Sequence, residues 1–298
     1  MPLTVTPLHP LFAAEISGVD LRRVDDATLA GIIAALNQYA VCVIHHDAPL
    51  SDAEHIAFSA RLGPIEGRSS PRIAGSGLRV PHDEIIDQSN LDQDGEIYAE
   101  GDRRLMFKRA NRLWHTDMSF YPVRATYSLL SGHVVPPAGA DTEFTDLRVV
   151  HDALSADMKA RVAPLMAEHC YWHSRVLGGG PEPTADERAS RPPARHALVH
   201  EHPGSGRRAL YLASHIKSIE GMSDGDCRVL VAELMAFATR PDFVFAHRWR
   251  RGDVLIWDNL CTMHRATPFD DQTYKRDMRR TTCREGPVPT KTAAGGAE

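Results

Sequence analysis

The segment 113–117, of sequence LWHTD, holds the residue pair in this chain most suited to metal chemistry. In a β-strand, residues i and i+2 project to the same face, so the His115 imidazole and the Asp117 carboxylate would reach one point in space. A second histidine would complete a two-histidine, one-carboxylate triad, which holds non-haem Fe(II) and leaves positions open for a co-substrate and O₂. His264, just beyond the apolar run 254–257, is the predicted third ligand.

Other histidines compete for a metal, because the sequence contains 16 of them. Several pairs have chelating spacing, but none has a carboxylate at ligand spacing on a clear strand. A short His-x-Asp motif also occurs by chance as a surface pair, so the triad needs support from a second feature. The competing pairs are His169 and His173, His196 and His200, His200 and His202, and His45 and His46.

A basic cluster at 276–282, of sequence RDMRRTT, supplies that support. In an extended segment Arg276 and Arg280 share one face. A guanidinium binds a carboxylate bidentately, so an arginine close to iron would anchor a dicarboxylate such as 2-oxoglutarate. A zinc hydrolase that uses an activated water has no need of such an anchor. A non-catalytic, cupin-like binding module is a third interpretation.

The elements that would position these residues are short strands separated by turns, with helices inserted between them. This pattern predicts a mainly β fold with helical insertions around a sandwich or jelly-roll core. We predict helices at 25–40, 51–62, 146–154, 155–166 and 223–239. We predict strands at 41–44, 112–120, 126–132, 142–146, 197–200, 209–212, 243–249, 253–257 and 279–283.

Three segments are predicted to lie outside this regular structure. The stretch 66–110 is rich in Gly, Pro, Ser and charge and is interpreted as an active-site lid loop. The segment 178–195 is predicted to form a second loop, and 286–298 a frayed tail. The succession of predicted strands and helices suggests one catalytic domain over 1–298. The length of the chain also allows two smaller domains.

Composition excludes several classes of function. The chain of 298 residues is 43% hydrophobic and carries a net charge of −5, which suits a folded protein and provides no basic field for nucleic acid. The apolar runs are too short to span a membrane, and the N-terminus has no signal-peptide pattern. Five cysteines without a C-x-x-C pair favour reduced thiols. We therefore expect a cytoplasmic protein.

These motifs together resemble the taurine dioxygenase superfamily of Fe(II)/2-oxoglutarate oxygenases. The resemblance rests on their order and spacing and covers about residues 6 to 284. Within the superfamily, the segments 7–14 and 135–144 are most similar to enzymes that act on aryloxyalkanoate acids. The matching motifs are HTD at 115–117, GADT at 139–142, WDN at 257–259 with His264, and RDMRRTT at 276–282.

The resemblance implies a double-stranded β-helix core (jelly-roll, cupin-like) and a role for each matching residue. The implied iron ligands are His115, Asp117 and His264. The implied 2-oxoglutarate residues are Thr142 and Arg276, which would hold the distal carboxylate, and Trp257, which would line that pocket. The residues implied to contact the acidic substrate or the adjacent co-substrate are Arg280, His202, Ser119 and Asn111.

The implied reaction uses Fe(II), 2-oxoglutarate and O₂ to hydroxylate a small acidic aromatic substrate. Attack next to the ether oxygen of an aryloxyacetate would give a phenol and glyoxylate, together with succinate and CO₂. The alternative within the superfamily is a sulfonate or alkyl-sulfate dioxygenase, since the same arginine would accept a sulfonate. The resemblance also implies a homo-oligomer, from dimer to tetramer.

Overall fold

A computed structural model describes residues 3–67 and 79–286 of the chain. Residues 68–78 of the predicted lid loop and 287–298 of the predicted tail lie outside the described residues. No helix in the described ranges is both long enough and apolar enough to cross a membrane.

Fifteen strands are found in the described part of the chain. They are β1 (Thr4–Pro7), β2 (Ala14–Ser17), β3 (Val41–His45), β4 (Ile86–Asp87), β5 (Ala125–Val134), β6 (Thr142–Asp146), β7 (Met166–His169), β8 (Ala194–Ala197), β9 (Val199–Glu201), β10 (Arg208–Leu210), β11 (Ile216–Ile219), β12 (Phe245–His247), β13 (Asp253–Asp258), β14 (Thr262–Ala266) and β15 (Asp277–Arg284).

Eight α-helices connect or cover the strands within these same ranges. They are α1 (Asp26–Tyr39), α2 (Asp52–Ser59), α3 (Arg103–Arg109), α4 (Leu147–Ala153), α5 (Ala156–Val162), α6 (Tyr171–Leu177), α7 (Ala185–Ser190) and α8 (Asp224–Ala238). A capping box begins α2, because the Ser51 backbone N–H donates to Glu54 at 2.8 Å and the Glu54 N–H donates to the Ser51 hydroxyl at 3.3 Å.

Two sheets enclose the part of the core that carries the site. The larger has the order β1-β2-β3-β13-β5-β15-β4, and the smaller has the order β12-β6-β14. All six residues of β13 are buried, as expected for a strand paired on both sides. Phe144 of β6 packs against Trp257 of β13 with ring centroids 5.5 Å apart, which joins the two sheets. The prediction of a mainly β jelly-roll core with helical insertions is confirmed.

The structure corrects several predicted elements. The segment 112–120 is not a strand: a 3₁₀ turn at Ala110–Arg112 is followed by one isolated bridge at His115 and then by a tight turn. His264 lies on a strand, β14, rather than after one. The predicted loops contain regular structure, namely β4 and α3 within 66–110 and α7 within 178–195. The helix predicted to reach 166 ends at Val162.

Candidate metal centre and active-site cavity

Three buried side chains converge on one point between the two sheets. The Nε2 atom of His115 lies 3.8 Å from Oδ1 of Asp117, and Nε2 of His264 lies 3.7 Å from Oδ2 of the same carboxylate. One ligand atom from each residue lies within 4.8 Å of the others. This spacing allows all three side chains to bind a single ion.

Backbone pairing across the sequence places the two histidines together. His115 and His264 exchange two backbone hydrogen bonds, of 3.0 and 2.9 Å, so a single bridge pairs the 115–117 segment with β14. The Thr116 hydroxyl adds a second attachment to β14, because it lies within hydrogen-bond distance of the carbonyls of Thr262 and Leu212, at 2.9 and 3.1 Å. Met118 then adopts a φ of 56°, an uncommon conformation outside glycine that turns the chain away directly after the carboxylate.

The Asp117 carboxylate is oriented by hydrogen bonds from two other strands. The Ser128 hydroxyl of β5 donates to Oδ2 at 2.8 Å, and Asn259 in turn donates to that hydroxyl at 3.0 Å. The guanidinium of Arg280 on β15 donates to Oδ1. Because every one of these partners is itself anchored in a sheet or next to one, the carboxylate has little freedom to rotate.

The protonation of the cluster suits a metal ion. Burial lowers the pKa of His115 and holds that of His264 well below its usual value, so both rings are neutral. Burial opposes ionisation of Asp117, but the nearby Arg280 guanidinium and the hydrogen bond from Ser128 favour the carboxylate, and its pKa is lowered to about 2. The Nδ1 atom of His115 donates to the Leu113 carbonyl at 2.8 Å, which leaves Nε2 to bind a metal. The donor set therefore fits Fe(II).

A cavity joins this triad to the predicted 2-oxoglutarate residues. His115, His264, Thr142, Trp257 and Arg276 all line it. Trp257 lies against the metal ligand, with its ring centroid 4.7 Å from that of His264. The Thr142 hydroxyl accepts a hydrogen bond of 3.0 Å from the indole of Trp249, which is set behind it in the core.

Arg276 is the most buried cation at this end of the cavity. Its side chain donates to the Gln88 carbonyl at 3.0 Å, and burial lowers its pKa to about 10. No carboxylate of the described residues forms an ion pair with it. A buried guanidinium without a counter-charge is costly, and a carboxylate brought by a ligand would relieve that cost.

The four predicted substrate residues divide into two groups. Arg280 and Asn111 line the cavity. The structure does not bring His202 and Ser119 to it.

The two absent residues belong to buried hydrogen-bond networks instead. His202 accepts a backbone hydrogen bond from Ser205 at Nδ1 and donates from Nε2 to Asp258 at 2.8 Å. Ser119 bonds to the rings of His215 and His169, at 3.1 and 2.9 Å. Since both polar ends of His202 are engaged, it has no group left to offer a substrate.

Sequence reasoning missed several cavity residues that come from the 66–110 segment. Gln88, Asn90 and Lys108 line the cavity. Asn90 joins that segment to the arginine strand, since its side-chain oxygen accepts from the Arg276 backbone N–H at 2.8 Å. Its side-chain nitrogen donates to the carbonyl of Asp271 at 2.8 Å. This stretch has no periodicity, so no signal in the sequence identifies these residues.

Comparison with known proteins identifies the family. The model of the family described as "Taurine catabolism dioxygenase TauD, TfdA family" matches residues 4–282. The chain is 38% identical over 282 residues to the alpha-ketoglutarate-dependent 2,4-dichlorophenoxyacetate dioxygenase of Cupriavidus pinatubonensis, covering 95% of this chain and 98% of that protein. It is 35% identical over 282 residues to the (S)-phenoxypropionate/alpha-ketoglutarate-dioxygenase of Sphingobium herbicidovorans, covering 92% of each.

A solved structure agrees with this assignment. AAD-2 in complex with Mn(II) and N-oxalylglycine matches with a TM-score of 0.91 and 37% identity, covering 96% of this chain and 99% of that one. The predicted family, the jelly-roll fold and the use of Fe(II) with 2-oxoglutarate are thereby confirmed. The chain belongs to the TauD/TfdA family of 2-oxoglutarate-dependent dioxygenases.

Proposed function

We propose that this enzyme hydroxylates an aryloxyacetate-type acid at the carbon next to the ether oxygen. The hydroxylated product collapses to a phenol and glyoxylate. One 2-oxoglutarate is decarboxylated to succinate and CO₂, and the two atoms of O₂ are divided between the succinate and the new hydroxyl group. The observation that carries the proposal is the single cavity lined by Arg276 and by His115 and His264, the two histidines that cluster with Asp117. The similarity to phenoxyacetate and phenoxypropionate dioxygenases supports the choice of substrate class.

Each residue has a defined task in this proposal. His115, Asp117 and His264 would hold Fe(II), which, with 2-oxoglutarate bound, activates O₂ for C–H hydroxylation. Arg276 and Thr142 hold the distal carboxylate of 2-oxoglutarate, and Trp257 forms the wall beside it. Asn111 and Arg280 lie where the substrate meets the co-substrate. The contribution of the chain is to position both acids so that the target C–H bond faces the metal.

The domain organisation, the cellular location and the oligomeric state are separate proposals. We propose one catalytic domain over 1–298 with 66–110 as a lid, supported by the described part of that segment, which lines the cavity. All five cysteines are buried and free, as suits a reducing cytoplasm. A homo-oligomer, from dimer to tetramer, follows from the family resemblance alone, and light scattering of the purified protein would test it.

The decisive experiment measures succinate formation and O₂ uptake with Fe(II), 2-oxoglutarate and a panel of aryloxyacetates. Taurine and alkyl sulfates serve as competing substrates, because a sulfate ester dioxygenase is also among the relatives, at 32% identity. We expect stoichiometric phenol and succinate with the aryloxy acids. Asp117→Ala should abolish both products while its thermal unfolding stays cooperative.

Two results would contradict the proposal. Succinate formation stimulated by an alkyl sulfate or taurine, and not by any aryloxy acid, would favour the alternative function. No succinate and no O₂ uptake under any condition would overturn the dioxygenase assignment itself.

A further inference from the structure

The cavity beside the metal triad is strongly cationic, and two of its five cations are already paired with carboxylates. Arg280 donates to Asp117, and Arg112 forms an ion pair of 3.2 Å with Asp271. Counting these pairs shows which cations are left for ligands. The cations that line the cavity are Lys108, Arg109, Arg112, Arg276 and Arg280.

Three of the five remain after this count, and one of them is exposed. Arg109 faces solvent, where water can screen its charge. Arg276 is buried and Lys108 is partly buried, and neither forms an ion pair with a carboxylate in the described ranges. The reaction requires two separate anions in this cavity, the distal carboxylate of 2-oxoglutarate and the carboxylate of the substrate. These two cations match the two anions.

Lys108 lines the cavity beside Arg276. It lies on α3 and donates from Nζ to the Ser89 carbonyl, whereas Arg276 donates to the preceding carbonyl, that of Gln88. Its Nζ atom also lies 5.3 Å from the centre of the Tyr98 ring. A neutral carbonyl and an aromatic face satisfy part of the ammonium group. The Asp87 carboxylate also attracts it, but Asp87 is already bound by Arg79, so the ammonium group can still receive a ligand carboxylate.

We propose that the ammonium group of Lys108 receives the carboxylate of the substrate and makes this site specific for anionic aromatic acids. The inference rests on the proposed function and assigns its substrate subsite. Arg280 is less suited to this task because its guanidinium already holds Asp117. Asn111, three residues after Lys108, also lines the cavity and offers the substrate a neutral hydrogen-bonding group.

The test measures equilibrium binding, so that it does not depend on turnover. Phenoxyacetate and its uncharged amide, phenoxyacetamide, are titrated by calorimetry into the full-length protein with Mn(II) and N-oxalylglycine bound. The variants are Lys108→Met, which removes the charge at similar length, and Lys108→Arg, which keeps it. Lys275→Met is the matched control, because Lys275 is exposed, pairs with Glu96 at 3.0 Å and does not line the cavity.

We expect Lys108→Met to weaken phenoxyacetate binding by roughly 10- to 100-fold, the range for a lost charge-assisted hydrogen bond. Binding of the amide should change by less than about threefold, since a neutral group gains little from the charge. Lys108→Arg should restore most of the acid's affinity, and Lys275→Met should leave it unchanged. Affinity for N-oxalylglycine should be the same in all four proteins.

Several outcomes would overturn the assignment. If Lys108→Met weakens N-oxalylglycine and spares phenoxyacetate, the lysine serves the co-substrate. If it weakens the acid and the amide equally, its role is packing. Failure of wild type to bind any acid of the aryloxyacetate panel would also overturn it. Lys108-dependent acid binding without succinate formation would instead contradict the proposed function and leave this subsite in place.

Discussion

The guanidinium of Arg79 holds Asp277 with two hydrogen bonds, 2.8 Å from Nη1 to Oδ2 and 2.7 Å from Nη2 to Oδ1. The same guanidinium donates two hydrogen bonds of 2.9 Å to Asp87. Asp277 adjoins Arg276, and Asp87 adjoins Gln88, which accepts a hydrogen bond from Arg276. Arg79 therefore joins the two segments that fix the proposed 2-oxoglutarate anchor.

Arg79→Gln should weaken 2-oxoglutarate use more than it slows the chemical step. Without the guanidinium, two acidic side chains face each other and the 87–90 segment loses its attachment to β15. We expect KM for 2-oxoglutarate to rise at least about fivefold with kcat within about threefold, and the free energy of unfolding to fall by about 3 kcal/mol. Steady-state kinetics and urea unfolding measure the two effects.

Arg188→Gln is the control for this variant. Arg188 pairs with Glu182 at 2.8 Å, but both side chains are more than half exposed. The free energy of unfolding should therefore fall by close to zero in Arg188→Gln. An Arg79→Gln enzyme with unchanged KM for 2-oxoglutarate would show that the Arg79 cluster has no part in positioning the anchor.

The same cluster predicts how stability depends on pH. Burial opposes ionisation of Asp277, but hydrogen bonds from Arg79 and Arg279 outweigh it and lower its pKa to about 2. A depressed carboxyl pKa stabilises the fold above the unfolded-state value of about 4, and this contribution is lost as the pH falls toward 2. We therefore expect the difference in the free energy of unfolding between wild type and Asp277→Asn to decrease below pH 4, as measured by urea unfolding at several pH values. A gap that stays constant down to pH 2.5 would contradict the assignment.

The structure brings the three predicted metal ligands together, but for a reason that differs in part from the one the sequence suggested. His115 and Asp117 were placed together by strand alternation, whereas the structure brings them together by one bridge and a tight turn with Met118 at positive φ. The grouping of His115 with Asp117 does not depend on the predicted strand, because two residues this close in the chain lie near each other in a turn as well. The strand β14 was missed because two of its buried residues, Thr262 and His264, are polar, so the strand does not stand out as apolar in a hydrophobicity pattern.

Long-range contacts account for what the sequence could not show. Gln88 and Asn90 line the cavity in a segment without periodicity, and both bond to Arg276, far along the chain. Lys108 is attached to the same segment through the Ser89 carbonyl. The proximity of His202 to Asp258 likewise depends on the fold, because 56 residues separate them. In a strand-rich region, the sequence alone therefore does not indicate whether a polar residue contacts a ligand or a buried partner residue.

Ser128 is expected to tune metal affinity without binding the metal. Its hydroxyl donates to Asp117 at 2.8 Å, so Ser128→Ala should raise the Fe(II) concentration for half-maximal activity by roughly 10- to 100-fold. Metal titration of activity, and of intrinsic fluorescence with Mn(II), measures the change. Ser131→Ala on the same strand is the control, because the Ser131 hydroxyl is buried without a described hydrogen-bond partner. Equal effects of both substitutions would mean that Ser128 acts only through packing.

His202→Gln separates a structural role from a substrate contact. The His202 and Asp258 pair is almost completely buried, so its loss leaves a carboxylate without its partner and should lower the melting temperature by several degrees. We expect KM for the aryloxy acid to stay within about twofold. A rise in that KM with no change in melting temperature would restore His202 as a substrate residue.

The charged groups around Lys108 predict a pH limit for acid binding. Burial lowers the pKa of its amine to about 8; Asp87 opposes this shift, and nearby cations add to it. The groups that face the amine are Asp87, Arg79, Arg276, Arg104 and the ring of Tyr98.

The amine carries its charge below pH 8 and loses it above. The dissociation constant for phenoxyacetate should therefore rise as the pH passes 8, and the rise should approach a factor of about ten for each further pH unit. A bound carboxylate favours the charged form and moves this transition to higher pH. In Lys108→Arg the guanidinium stays protonated, so its affinity should be flat between pH 7 and 9.5. Calorimetry across this range, with Mn(II) and N-oxalylglycine present, makes the comparison. If wild type and Lys108→Arg lose affinity in parallel, another group controls acid binding.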